Sequence, residues 1–474
     1  MRAKKFLLLT VAFYTFASSW AQQPNIVLFL VDDLGWRDIS GYGSALYQTP
    51  NVDALAQSGV KFTDAYSACT VCSPSRASIL TGKYPARIRC TDWIAGHNRP
   101  YAKLQIPVWT QRLLAADTTL AEVLKTNGYR TAHIGKWHLG EEETDWPEYH
   151  GFDLNIGGWK KGQPNKVNKQ GGFFTPYNNP RLMDGPPGEY LTERLAREAA
   201  DYIQQNKDTP FFLNYWLYSV HTPMEAKEEK IKKYRAIVHP DSLQANATYA
   251  AMVEHMDDAL GQVVAALKDA GVYENTIVIF ASDNGGLLSA NDGANGKTSV
   301  TSNHPLRSGK GDVYEGAVRT PLIISWPKEI AGGRVTNVPS ISTDIFPTVL
   351  GLTGLRKSFS SPKDGVDLSA LLLKNKKPKR DAIFWHYPHY HTEGATPYSA
   401  VRQGDWKLIK FYEDNRLELY NLETDIGETT NLVDRQSKRA VDMHQLLQEW
   451  LQEVAAQLPE PNPDYDPAKV NKWN

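Results

Sequence analysis

The segment Asn25–Val31 is apolar after its first residue, and an unbroken run of that kind reads as a strand buried on both faces, as in a parallel sheet. Similar runs recur at 211–218, 275–281 and 321–326. Helical patterns lie between them. Thr119 and Glu122 form a capping box that opens a helix stopping near Gly128. Amphipathic segments follow at 192–205 and 247–270. Residues 128–138 read as a helix end, a short strand and a polar loop. This alternation predicts an α/β sandwich. Beyond about residue 355 the pattern changes. Residues 358–378 are rich in Ser, Lys and Pro apart from an apolar patch at 368–373. Short alternating segments at 382–387, 406–411 and 417–422 then suit a small antiparallel sheet, and 437–457 a helix. The expected organisation is a large α/β domain over 22–355 and a smaller C-terminal α+β subdomain over 356–474.

Residues 1–21 stand apart. Arg2, Lys4 and Lys5 precede an apolar run from Phe6 to Phe16, and Ser19-Trp20-Ala21 offers the small residues of an export-signal cleavage site. The run is short for a bilayer span, so an exported protein without a membrane anchor is expected, periplasmic or secreted. With 52 Lys+Arg against 53 Asp+Glu, the chain lacks the basic excess of a general nucleic-acid binder. Three cysteines in 474 residues exclude a disulfide scaffold. Cys69 and Cys90 are candidates to pair, which leaves Cys72 over.

Several polar groups sit where buried strands end, the place where ligand sites gather in open α/β sheets. Asp32-Asp33 follows the first strand and Asp283-Asn284 follows the 275–281 strand. A lone pair of this kind usually caps a turn, but three carboxylates and an amide oxygen together suit one Ca²⁺ or Mg²⁺. Cys72-Ser73-Pro74-Ser75-Arg76 precedes a short helix predicted over 77–80, which ends at Thr81-Gly82-Lys83. A thiol at a helix N-terminus beside Arg76 is expected to have a lowered pKa. Lys136 and His138 project from the 128–138 loop, His221 follows the 211–218 strand, and Lys310 lies in a Gly-flanked basic loop. One metal, four cations (Arg76, Lys83, Lys136 and Lys310) and two histidines describe a pocket for a multiply charged oxyanion.

From Asn25 to about Leu432 the chain resembles the type I, formylglycine-dependent sulfatases of the alkaline phosphatase superfamily. The Cys72-to-Arg76 and Gly128-to-His138 strings match that family's two signatures. The resemblance implies a mixed-sheet sandwich of alkaline phosphatase type and oxidation of Cys72 to Cα-formylglycine by a separate maturation enzyme. It implies Ca²⁺ held by Asp32, Asp33, Asp283 and Asn284 together with residue 72. It also implies a hydrated aldehyde as nucleophile, helped by Arg76. Lys136 and Lys310 would act on the sulfuryl oxygens, His221 as acid on the departing sugar oxygen, and His138 as base. Lys83 would support the aldehyde or His138. A phosphomonoester or phosphonate monoester hydrolase of the same superfamily is the alternative.

The implied substrate is a sulfated oligosaccharide, of galactose or N-acetylgalactosamine type and attacked from its end. Trp93, His97, Arg99, His304, His386 and Arg402 are candidate sugar contacts, with Trp159, Trp385, His389 and His391 behind them. A second metal site at His386, His389 and His391 is disfavoured by their spacing.

Overall fold

The computed structural model describes residues 23–239, 242–291, 297–359 and 364–473. The leader expected at 1–21 lies outside them. Among the described residues the main sheet has eight strands: β1 (Asn25–Val31), β2 (Gly59–Phe62), β3 (Arg130–Gly135), β4 (Leu154–Ile156), β5 (Phe211–Trp216), β6 (Thr276–Ser282), β7 (Leu322–Ser325) and β8 (Arg334–Thr336). Their order is β8-β2-β7-β6-β1-β5-β3-β4. β6, β1, β5 and β3 pair in parallel at its centre, while β7 runs against both β6 and β2, so the sheet is mixed.

The run in β1 is continuous because both of its faces are covered. Val27, Phe29 and Val31 join one core, and Ile26, Leu28 and Leu30 join the other. The first core holds the long helices Leu191–Asn206 and Ala247–Asp269, and the second holds Cys72–Thr81, Leu120–Thr126 and Ile345–Leu352. The Thr119–Glu122 capping box forms as expected.

A second, antiparallel sheet comprises β9 (Ile383–Tyr387), β10 (Tyr398–Gln403), β11 (Trp406–Phe411) and β12 (Leu417–Asn421), covered by the helix Ser437–Glu453. It does not close a core of its own. Tyr66, Val71, Val313 and Tyr314 from the N-terminal part pack into the same cluster as Trp385, Leu408 and Trp450. β2, β4, β8 and β10 carry no long apolar run, and the sequence pattern does not predict them.

Candidate active site

The parallel centre of the sheet sets the site. β1 delivers Asp32 and Asp33, β6 delivers Asp283 and Asn284, β3 delivers Lys136 and His138, and His221 follows β5. All leave the sheet at the same edge because the four strands are parallel. The helix carrying Cys72 begins at that residue and runs to Thr81, longer than the expected 77–80, with Pro74 accommodated in the first turn. Every residue of this helix is buried.

Around Cys72 three carboxylates face three cations. Arg76 donates from Nε to Asp283 Oδ2 at 2.8 Å, and its NH2 lies 2.7 Å from the same oxygen and 3.5 Å from Asp32 Oδ1. The guanidinium also sits 5.2 Å from the Trp216 ring. Lys136 Nζ donates to Asp32 Oδ2 at 2.6 Å. Lys310 Nζ lies 2.8 Å from Asp33 and 3.5 Å from Cys72 Sγ. Cys72 Sγ is 3.6 Å from Asp32 Oδ1, and His221 Nε2 is 3.6 Å from Asp33 Oδ2.

Burial governs the ionisation of this cluster. Asp32 is pushed up to about 8 by burial, with Lys136 and Arg76 pulling down and Asp283 and Asp33 repelling. For Asp33 burial acts in the same sense but is outweighed by Lys310, His221 and Lys136, so its carboxyl stays well below the usual range. Asp283 is likewise lowered, its burial overcome by Arg76 and Lys136. The Cys72 thiol is raised to about 12 by burial, despite Lys136 and Lys310. This reverses the lowered thiol expected from its helix position, because the desolvated thiolate loses more than the helix end and the cations return. His221 falls to about 3, through burial and the neighbouring Lys310.

The donor set fits a hard divalent cation. Donor atoms of Asp32, Cys72 and Asp283 lie within 4.8 Å of one another, as do those of Asp33, Cys72 and His221. Asn284 Oδ1 is buried without a partner, while its amide nitrogen donates to Asp33 Oδ1 at 2.8 Å. A cation among three carboxylates would offset the burial and the repulsion that together raise Asp32, and would satisfy the Asn284 oxygen.

His138 adopts a left-handed backbone, φ 63°. Its Nε2 donates to the Ile94 carbonyl. Gly162 packs against the ring, and a Cβ there would approach it to 2.4 Å. Trp93 stands 6.4 Å away, centroid to centroid, and contacts His97, which in turn meets His391 and Trp473. His391 packs on Gly311, next to Lys310. His97 and Arg99 also line a cleft of about 630 Å³ with Trp109 and Asn462.

Other expected contacts lie elsewhere. Lys83 follows Gly82, whose left-handed turn ends the helix, and it pairs with Asp117 at 2.7 Å, not with residue 72 or His138. Arg402 is buried against Asp64 and Tyr66, and His386 bridges Ser399 and the Gln457 carbonyl, so both serve the small sheet. His304 is exposed beside Arg37 and Gln244, in a depression that includes none of the residues around Cys72. Trp385 Nε1 donates to the Ser67 carbonyl in the core, and Trp159 is buried. His389 meets Thr91, and the three histidines of that stretch form no metal-ligating group among the described residues. Cys69 and Cys90 are buried free thiols. The Ile94 carbonyl, Gly162 and Trp216 escaped sequence reasoning. Two act through backbone or absent bulk, and the third hides inside an apolar run.

The chain resembles known proteins in sequence and in fold. Residues 24–355 match the family model described as Sulfatase, and 309–457 match that of the C-terminal part of N-sulphoglucosamine sulphohydrolase. A sulfatase of Formosa agariphila is 33% identical over 91% of this chain and 89% of its own length. The N-acetylgalactosamine-6-sulfatase of Mus musculus is 31% identical over 91% of this chain and 80% of its own. Among solved structures, Ps i-CgsB in complex with k-i-k-neocarrahexaose superposes with a TM-score of 0.74 at 29% identity, covering 94% of this chain and 95% of that one. No helix among the described residues is long and apolar enough to cross a membrane. The chain belongs to the sulfatase family of the alkaline phosphatase superfamily and is a sulfuric ester hydrolase.

Proposed function

We propose that the protein removes sulfate from a carbohydrate of galactose or N-acetylgalactosamine type, using formylglycine made from Cys72 and one Ca²⁺. The observation that carries the reading is the position of Cys72 Sγ, 3.6 Å from an Asp32 oxygen and 3.5 Å from Lys310 Nζ. The sugar class draws on the relatives, one named an N-acetylgalactosamine-6-sulfatase and one solved with a neocarrahexaose. Asp32, Asp33, Asp283, Asn284 and residue 72 would hold the ion. When bound, the ion would supply Lewis-acid charge to the sulfate, and the hydrated aldehyde at residue 72 would supply an oxygen nucleophile.

The chain's own residues do the rest. Arg76 is fixed by two bonds to Asp283 and keeps residue 72 beside the carboxylates. Lys136 and Lys310 are placed to neutralise charge growing on the sulfuryl oxygens. His221 is anchored through Nδ1 on Thr222, which leaves Nε2 for the sugar oxygen as the S–O bond breaks. An arriving anionic sulfate favours the imidazolium, so substrate binding itself loads this acid. His138 accepts a proton from residue 72. Export through the 1–21 leader and maturation by a partner enzyme belong to the same reading, with a catalytic unit over 22–355 and a supporting one over 356–474.

The test is ion chromatography of anions released from galactose and N-acetylgalactosamine sulfates, each sulfated at one position, with the matching phosphates alongside. Sulfate released from one sugar and position is the expected result. Phosphate release with no sulfate release on the whole panel overturns the reading.

A further inference from the structure

Ser73 follows the candidate nucleophile, and its hydroxyl oxygen accepts the Ile94 N–H at 3.1 Å. The carbonyl of the same Ile94 accepts from His138 Nε2. Both side chains are buried, Ser73 fully. The segment around Ile94 is pinned from its other side by Asp92, which accepts the Trp93 N–H at 2.9 Å, the His97 N–H at 3.4 Å and the Tyr387 hydroxyl at 2.7 Å. A carbonyl only accepts, so Nε2 must carry the hydrogen, and in a neutral imidazole the lone pair is then on Nδ1. His138 Nδ1 is buried and has no protein partner. His138 lies two residues beyond Lys136, whose Nζ donates to Asp32 at 2.6 Å and whose carbonyl accepts from Arg76 at 3.1 Å, so the ring stands at the cluster around residue 72.

We infer that Ser73 is a positioning residue for His138. Its hydroxyl holds the Ile94 segment, the Ile94 carbonyl takes the Nε2 hydrogen, and the imidazole is kept as the tautomer with a bare Nδ1. The helix that carries residue 72 and the base that serves it are thereby tied through Ile94. A serine that merely satisfied a buried N–H would help the fold without setting the ring. The inference rests on the reading of His138 as the base toward residue 72.

The experiment compares the full-length wild type with Ser73→Ala, Ser73→Thr, His138→Ala and the Ser73→Ala/His138→Ala double variant. Turnover of 4-nitrophenyl sulfate is expressed per molecule with converted residue 72, counted by mass spectrometry. A defect in maturation therefore cannot pass for one in catalysis. His138→Ala is expected to lose about 100-fold or more in kcat, and Ser73→Ala about tenfold at unchanged KM. Ser73→Thr keeps the hydroxyl and should stay within about twofold of wild type. The double variant should be no slower than His138→Ala alone, because the serine acts only through the ring. Normal turnover by Ser73→Ala, or losses that multiply in the double variant, overturns the inference. Ring ¹⁵N shifts of His138 provide a readout free of turnover. Protonated Nε2 and bare Nδ1 are expected in wild type, with mixed tautomers in Ser73→Ala. A wild-type ring protonated at Nδ1 overturns the inference even if activity follows the expected pattern. Full turnover by His138→Ala would instead overturn the role given to His138, leaving the ring nitrogens to decide the placement.

Discussion

Asp32 shows most plainly what a bound cation would do for the site. Burial and two neighbouring carboxylates raise it to about 8 although Lys136 sits on one oxygen and Arg76 near the other. Such a group gains a great deal from a bound cation, and a ligand that binds only the folded state raises stability by mass action. Chelation should therefore lower the melting temperature and Ca²⁺ restore it, whereas Asp32→Ala should melt at one temperature with or without the ion. Differential scanning fluorimetry with chelator and added Ca²⁺ checks this, and equal ion-dependent shifts in wild type and variant would contradict it. The acid pairs were legible in the sequence because each follows a run whose burial was itself legible. Lys83 was misplaced for the opposite reason. Spacing along a helix gives distance but not direction, and Gly82, at φ 65°, turns the chain toward Asp117.

At the scale of elements, precision comes from how closely β3 and β5 approach at their ends. Gly135 closes β3 at φ 107°, and a Cβ there would lie 1.9 Å from the Trp216 carbonyl oxygen. The next residue, Lys136, donates its N–H to that same carbonyl at 2.8 Å. Gly135→Ala must push the strands apart, with a cost of about 1–3 kcal/mol, and it moves Lys136 off Asp32. Urea unfolding together with steady-state turnover should show a kcat loss larger than the stability loss explains. Unchanged turnover in a destabilised variant would separate the strand end from the site. The central strands and long helices were readable from continuous apolar runs and helical periodicity. β2, β4 and β8 were not, since their three or four residues leave too little pattern to register. Arg402 and His386 are not sugar contacts around residue 72: Arg402 lies on β10, a strand the sequence pattern does not predict, and the alternation at 382–387 does not say which face His386 takes.

For the whole molecule, the small sheet works as a buttress. Lys407 on β11 is buried between Glu315 and Glu428, at 3.0 Å from each, and Glu315 also binds Arg319 and Tyr66. Glu315 follows the Lys310 loop, so the network fixes that loop against the sheet. Lys407→Met leaves two buried carboxylates facing each other and should cost about 3–5 kcal/mol. Chemical denaturation measures this, and a loss below about 1 kcal/mol would mean that the network is dispensable.

Acid should also unfold the chain early. Burial lowers His133 and His389 to about 3 and His386 to about 4, against an ordinary 6.5. Below pH 6.5 the unfolded chain binds protons that the folded chain refuses. The contribution of these rings to stability is thus lost as pH falls from 6.5 toward about 4, by up to about 1.4 kcal/mol per pH unit for each ring, while raised buried carboxyls such as Asp92 act in the opposite sense. Denaturant midpoints at pH 7, 6 and 5 should fall in order, and His389→Gln should flatten the trend. A midpoint independent of pH would show that these rings do not enter the balance.

The proposed activity depends on residue 72 acting as an aldehyde held among Asp32, Lys310 and Arg76. Its most direct test uses preparations matured to different extents, each assayed for sulfate release and analysed by mass spectrometry for the converted fraction of residue 72. Turnover should rise in proportion to that fraction, on a line through the origin, with Cys72→Ala at zero. Sulfate release from fully unconverted protein, or a rate that ignores the fraction, would contradict the account.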